Sequence, residues 1–190
     1  MAESPRLQLT LRAWDDCTPA TQKRVLAWTD HPDVPEHART MVPATIARQH
    51  HLRSNPTDDL SIHIWIAVDG HRPAAFLTAD IRSEWTRPDE FRASELYVGF
   101  AGPTMSFSTL IDPELWGPGH STAAKLAAID QPVAANVRNF HAEVRADNER
   151  SLTAMAKFPG VRMIGTSVAD GHQWLHFHWQ RTAPSPITSP

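Results

Sequence analysis

Ile111-Asp112-Pro113-Glu114-Leu115-Trp116-Gly117-Pro118-Gly119-His120-Ser121-Thr122 is the stretch on which the fold turns. It reads as a strand ending at Ile111, a glycine-rich turn, and a helix that opens near His120. Glycine adopts backbone torsions that other residues resist, and it lets a ligand approach the main chain closely. A turn of this kind leaves backbone N–H groups unpaired at the helix start, where the helix dipole adds partial positive charge. The place suits a phosphate or pyrophosphate. By itself, the spacing of the two glycines is equally that of an ordinary strand-to-helix turn.

A second segment lies further along. Phe140-His141-Ala142-Glu143-Val144-Arg145 alternates like a strand and is followed by Asp147-Asn148-Glu149-Arg150-Ser151-Leu152 and a helical run over 153–157. Asn148 sits where the strand must become a helix, which places Ser151 in the first turn. Together the two segments resemble the GNAT (Gcn5-related N-acetyltransferase) superfamily, most closely its RimJ/RimL-like branch. In that family a D-P-x-x-W-G-x-G segment cradles the coenzyme A pyrophosphate and a V-x-x-x-N-x-x-S segment holds the pantetheine arm. The matching residues here are Asp112, Pro113, Trp116, Gly117 and Gly119, then Val144, Asn148 and Ser151. Leu9-Thr10-Leu11-Arg12-Ala13-Trp14 is similar to the opening L-x-L-R-x-W strand of the same branch.

The resemblance implies an α/β fold with a mixed, mostly antiparallel central sheet flanked by helices and a splayed strand pair at the cofactor site. It implies acetyl-CoA as co-substrate and no metal. It places the cofactor against Ile111, Trp116, Gly117, Gly119, His120, Ser121, Thr122, Asn148 and Ser151. The chain also departs from the pattern. Ser121 stands where Gly or Ala is usual, and Met155 stands where many relatives carry the tyrosine that reprotonates the departing thiolate. Lys157-Phe158-Pro159-Gly160-Val161 replaces a K-L-G-F turn.

At 190 residues and 21.2 kDa, with 41% hydrophobic and 21% charged residues, the chain suits one soluble domain. That domain is expected over residues 1–181, with a disordered Pro-, Ser- and Thr-rich tail over 182–190. A net charge of −3 offers no basic footprint for nucleic acid or an anionic membrane. The opening residues lack the apolar run of a signal peptide, and a single cysteine, Cys17, suits a reducing compartment; the expectation is cytoplasmic. No motif supplies Cys17 with a partner that would make it a nucleophile.

Period and punctuation predict strands over 7–13, 60–68, 73–82, 95–100, a strand ending at Ile111, 140–145, 161–168 and 173–180. Helices are expected over 20–29, 43–53, 120–129 and 153–157, and Pro132 should stop the third. Asp69-Gly70 and Asp170-Gly171 read as hairpin turns. Trp14, Trp28, Trp65 and Trp179 are expected in the core, while Trp85 and Trp116 are placed to line a site.

Eleven histidines invite a metal reading. His176 and His178 share one strand face, but no further ligands complete a zinc set, so structural or surface roles are expected. Acetyl transfer to an amine needs a group to take the amine proton, a polarised thioester carbonyl and a partner for the thiolate. The base is expected among Glu95, His141 and Glu84, in that order, with His141 and Glu143 assigned to opposite faces of their strand. Ser151 is expected to handle the thiol. The expected activity is direct acetyl transfer to a primary amine of a protein N-terminus, an antibiotic or a small metabolite. The alternative is a catalytically inactive acyl-CoA-binding or regulatory domain. A homodimer is expected if Leu175, Phe177 and the edge strands leave apolar surface exposed.

Overall fold

The computed structural model describes residues 7–117 and 119–181. Helix α1 (Pro19–Leu26) and helix α2 (Glu36–Ser54) follow a short first strand, β1 (Thr10–Ala13). A hairpin comes next, β2 (Leu60–Asp69) and β3 (Arg72–Arg82), then the two-residue β4 (Arg92–Ala93) and β5 (Thr104–Ile111). Helix α3 (His120–Ile129), β6 (Asn139–Arg145), α4 (Glu149–Ala156) and a closing hairpin, β7 (Arg162–Ala169) with β8 (His172–Gln180), complete the chain. The strands form one eight-stranded sheet in the order β1-β2-β3-β5-β6-β8-β7-β4. Only β5 and β6 run parallel.

Sheet alternation divides the apolar side chains between two layers. Ile62, Ile64, Ile66, Phe76 and Leu110 pack with Trp14, Val25, Trp28 and Val42 under α1 and α2. Trp65, Leu77, Phe107, Phe140 and Trp179 pack with Ala124, Ala128, Met155 and Phe158 under α3 and α4. All four tryptophans expected in the core are buried. Met155, at the position of the missing tyrosine, is a core side chain. Helix starts follow local chemistry: Thr18 accepts from the Thr21 N–H ahead of Pro19. In the closing hairpin, Asp170 and Gly171 both have positive φ, the geometry of a tight two-residue turn.

Several expectations change. Helix α2 begins at Glu36 rather than at 43, with Pro43 inside it. Proline suggested a start, yet it removes only one donor here, and the Arg39 side chain anchors the preceding turn through Val34, His31 and Pro32 carbonyls. Residues 95–100 form no strand. Gly99 and Gly102 take φ 70° and 89°, and Tyr97 and Phe100 fold over the sheet instead of joining it. The sheet gains β4 on its far edge, paired to β7. Helix α4 opens at Glu149, one turn before the predicted run. The tail over 182–190 lies outside the described residues. No helix among the described residues is long and apolar enough to cross a membrane.

Candidate functional site

β5 and β6 are paired only from Thr104↔Asn139 to Phe107↔Ala142. Beyond that register β5 stays bonded to β3 up to Ile111, while β6 stays bonded to β8 up to Arg145. The two strands therefore splay, and each carries one sequence motif at its open end.

At the β5 end, Asp112 is 3% exposed and accepts from Arg72 Nη2 at 2.8 Å and from the Glu114 N–H at 3.1 Å. It caps the short 3-10 turn Pro113–Leu115 and ties that turn to β3. Trp116 Nε1 donates to the Ile111 carbonyl at 3.2 Å, folding the turn back on the strand. Gly117 and Gly119 take φ 110° and 96°, and no atom lies within 4 Å of where a Cβ would stand. Gly119 is the N-cap of α3, with no side chain capping it. The first intrahelical bond runs from Ala123 to Gly119, so the amides of His120, Ser121 and Thr122 precede the ladder.

His120 is buried. Its Nε2 lies 3.5 Å from Asp69 Oδ2, and its Nδ1 has no partner among the described residues. Lys125, one turn on and 7% exposed, donates to Ser121 Oγ at 2.7 Å. Burial brings the Lys125 pKa down to about 8.

At the β6 end, Asn148 is the N-cap of α4, and its Oδ1 accepts from the Ser151 N–H at 3.1 Å. The neighbouring Arg150 guanidinium lies 4.0 Å from the Trp116 ring centre, a cation–π contact joining the two motifs across the gap. His31 meets the same indole edge-on at 5.5 Å.

The sheet face under α2 carries the remaining polar groups. Residues two apart on a strand share a face, and the register sets His141, Glu143 and Arg145 opposite His178, His176 and Trp174. His141 and Glu143, expected on opposite faces, both lie on this one because residues two apart on a strand share a face. His141 Nδ1 is 3.2 Å from Ser106 Oγ, and its Nε2 is 3.2 Å from His176 Nδ1. His176 Nε2 is in turn 2.8 Å from Ser167 Oγ. This row crosses four strands and leaves neither imidazole a free nitrogen. His178 Nε2 meets Asn139 Oδ1 at 3.2 Å.

Loop residues Trp85, Phe91, Tyr97 and Phe100 roof the row, with Phe100 stacked on His178 at 4.1 Å and Trp85 beside His141 at 5.5 Å. Burial pushes the pKa of His141 to about 3 and those of His176 and His178 to about 4. All three histidines are buried rather than superficial. No group of three or more potential metal ligands occurs among the described residues.

Glu143 is open to solvent, yet desolvation of its carboxyl, followed by the charge of Asp80, raises its pKa. Asp80 pairs with Arg48 of α2 at 2.9 Å. Glu84 and Glu95 are exposed on the roofing loop.

Ile111, Trp116, Gly117, Gly119, His120, Ser121 and Thr122 thus form one end of the splay and Asn148 and Ser151 the other, while His141 lies below in the imidazole row. Glu143, Lys125 and Arg150 were not among the residues expected at the site. The strand period was enough to find the first, and the spacing of Ser121 and Lys125 on one helix face was enough to find the second. The Arg150 contact depends on how two distant segments meet.

No family model and no curated protein matches the chain. Solved structures do. AAC(6')-Ib in complex with paromomycin and acetyl-CoA is 16% identical with a TM-score of 0.60, covering 96% of this chain and 98% of that one. A spermidine N-acetyltransferase SpeG chimera from Vibrio cholerae and hSSAT is 13% identical with a TM-score of 0.60, covering 91% and 95%. A GNAT family acetyltransferase from Streptococcus agalactiae is 11% identical with a TM-score of 0.63, covering 92% and 96%. At these identities the likeness is one of fold, and the fold is that of the GNAT acetyltransferases.

Proposed function

We propose that the chain is an acetyl-CoA-dependent N-acetyltransferase that moves an acetyl group directly to a primary amine in a ternary complex. The observation that carries this reading is the uncapped start of α3 at the mouth of the splay, with Asn148 and Ser151 across the gap. The donor's pyrophosphate fits there: free amides converge at the positive end of the helix, and two glycines leave room for close approach. Bound acetyl-CoA would supply an activated thioester.

This chain's own groups then divide the work. The edge of β5 from Ser108 to Ile111 has no partner on the β6 side, so its outward N–H groups are free to polarise a carbonyl. Glu143 takes the proton of the incoming amine. Its raised pKa makes it a stronger base than an ordinary carboxylate, and it sits on the strand at the splay. Ser151 Oγ is the hydroxyl that stands in for the missing tyrosine. His141, with both nitrogens engaged, fixes the floor beside Glu143.

The acceptor class we favour is a small polycationic amine. The carboxylates of Glu143 and Asp80 on the face beneath α2 suit it, and the similar folds include an enzyme bound to an aminoglycoside and a spermidine acetyltransferase. Protein N-termini, which the RimJ/RimL-like motifs suggested, are the acceptors to compare against.

The cofactor half of the reading is tested by calorimetric titration of acetyl-CoA into the wild type and Gly119→Glu. A carboxylate at a position of φ 96° both strains the turn and occupies the anion site. Saturable binding lost in the variant supports the reading, and no binding to the wild type at millimolar ligand overturns it.

A further inference from the structure

Lys125 is placed against every ordinary electrostatic preference. It is 93% removed from solvent in the sense that only 7% of it is exposed, and no ion pair among the described residues includes it. Side chains on a helix lean toward its N-terminus, so the ammonium rises into the first turn of α3 and donates to Ser121 Oγ at 2.7 Å. That is the positive end of the helix dipole, where a cation is repelled and an anion attracted. Among the described residues, one hydroxyl is the whole compensation for a desolvated charge. Ser121 is also the residue that departs from the small Gly or Ala usual in the resembled motif. Its hydroxyl is the acceptor for that ammonium, so the unusual serine and the buried lysine are one feature.

We propose that Lys125, held by Ser121, is the side-chain charge that partners the phosphate received by the free amides of α3. The inference rests on the anion-binding half of the proposed function. It assigns the site a fixed cation in addition to backbone N–H groups. Lys125 is unfavourable in the empty protein and is balanced when a phosphate arrives.

The test compares the wild type, Lys125→Met and Ser121→Ala by calorimetry with coenzyme A, inorganic pyrophosphate and phosphate-free S-acetylpantetheine, alongside ligand-free melting curves. Lys125→Met should weaken coenzyme A and pyrophosphate binding about tenfold or more, since charge-assisted contacts are the strong ones. It should leave S-acetylpantetheine binding unchanged, and the ligand-free melting temperature should stay level or rise because a buried unpaired charge is gone. Ser121→Ala should lose affinity for the same two ligands, to a smaller extent. Equal affinity of the wild type and Lys125→Met for both phosphate ligands overturns the proposal. So does a lowered melting temperature with all three ligands weakened alike, which is the mark of a packing role. Lysine-dependent pyrophosphate binding without preference for coenzyme A keeps this proposal and removes the cofactor reading. Binding of neither phosphate ligand by the wild type removes both.

Discussion

Asp112 and Asn148 show how single residues aim the two halves of the site. Each is a side-chain cap, one for a 3-10 turn and one for α4, and each sets where a motif leaves its strand. Glu143 is the residue whose role depends most on neighbours, since desolvation and Asp80 together raise its pKa. Glu143→Gln should lower kcat/KM for the amine about a hundredfold or more while leaving acetyl-CoA affinity unchanged. The acid limb of the pH–rate profile should vanish with it, because activity is lost as pH falls through the raised carboxyl pKa and protonates the base. An unchanged profile in the variant would move the base off this strand, with Glu95 of the roofing loop next. The alternation of β6 places Glu143 on the same face as His141, so this residue was legible in the sequence. The raised pKa was not, because it comes from desolvation in the folded chain and then from Asp80 on a different strand.

Among the elements, the imidazole row across β5, β6, β8 and β7 is the most sensitive to acid. Histidines held near 3 to 4 in the folded chain titrate near 6.5 when it unfolds. The unfolded chain therefore binds more protons below pH 6.5, and stability rises with pH. Their contribution is complete above about pH 6.5 and is lost as pH falls toward 3. Unfolding free energies from urea titrations at pH 7.5 and pH 5 should differ by on the order of a few kcal/mol, and His176→Gln should flatten the slope. A midpoint that does not change over that range would contradict the burial of these rings.

The roof over the row depends on Gly165. A Cβ there would stand 2.5 Å from both the Arg92 carbonyl oxygen and the Phe91 ring. Gly165→Ala should thus displace β4 and loosen the aromatic loop, at a cost of about 1–3 kcal/mol from overpacking. Thermal melting measures that cost, and added tryptophan quenching at Trp85 would report the open roof. Helix α3 and both hairpins were legible from capping, period and turn chemistry. The roof was not, because residues 95–100 alternate like a strand, while the glycines that turn them over the sheet act through tertiary packing.

Across the whole molecule, the order β1-β2-β3-β5-β6-β8-β7-β4 with one parallel pair creates the working gap. A parallel neighbour needs a crossover, and α3 is that crossover, so its N-terminus necessarily lies at the open end of the splay. The mostly antiparallel sheet, its flanking helices and the splayed strand pair agree with what the resemblance of the two motif segments implied. The strand order itself was not legible, because it is set by pairings between distant segments. The two core layers lock the sheet between helices. Phe140 is fully buried and stacked with Phe107 and Trp179, so Phe140→Ala should cost about 3–5 kcal/mol. A single cooperative melt at lower temperature is the expected result, while retention of wild-type stability would contradict a shared core. Leu175 and Phe177 are half-buried, and the large exposed apolar side chains include Leu96, Val98 and Val168 instead.

One assay reads acetyl transfer to an amine directly. Purified protein is incubated with acetyl-CoA and, in turn, spermidine, an aminoglycoside and a peptide with a free N-terminus. Free thiol release is followed alongside the mass of each amine. Thiol release matched by mono-acetylated amine, fastest with the polycations and abolished in Gly119→Glu, is the predicted result. Tight acetyl-CoA binding with no acetylated product from any acceptor would contradict it and identify the chain as an acyl-CoA-binding domain that does not transfer.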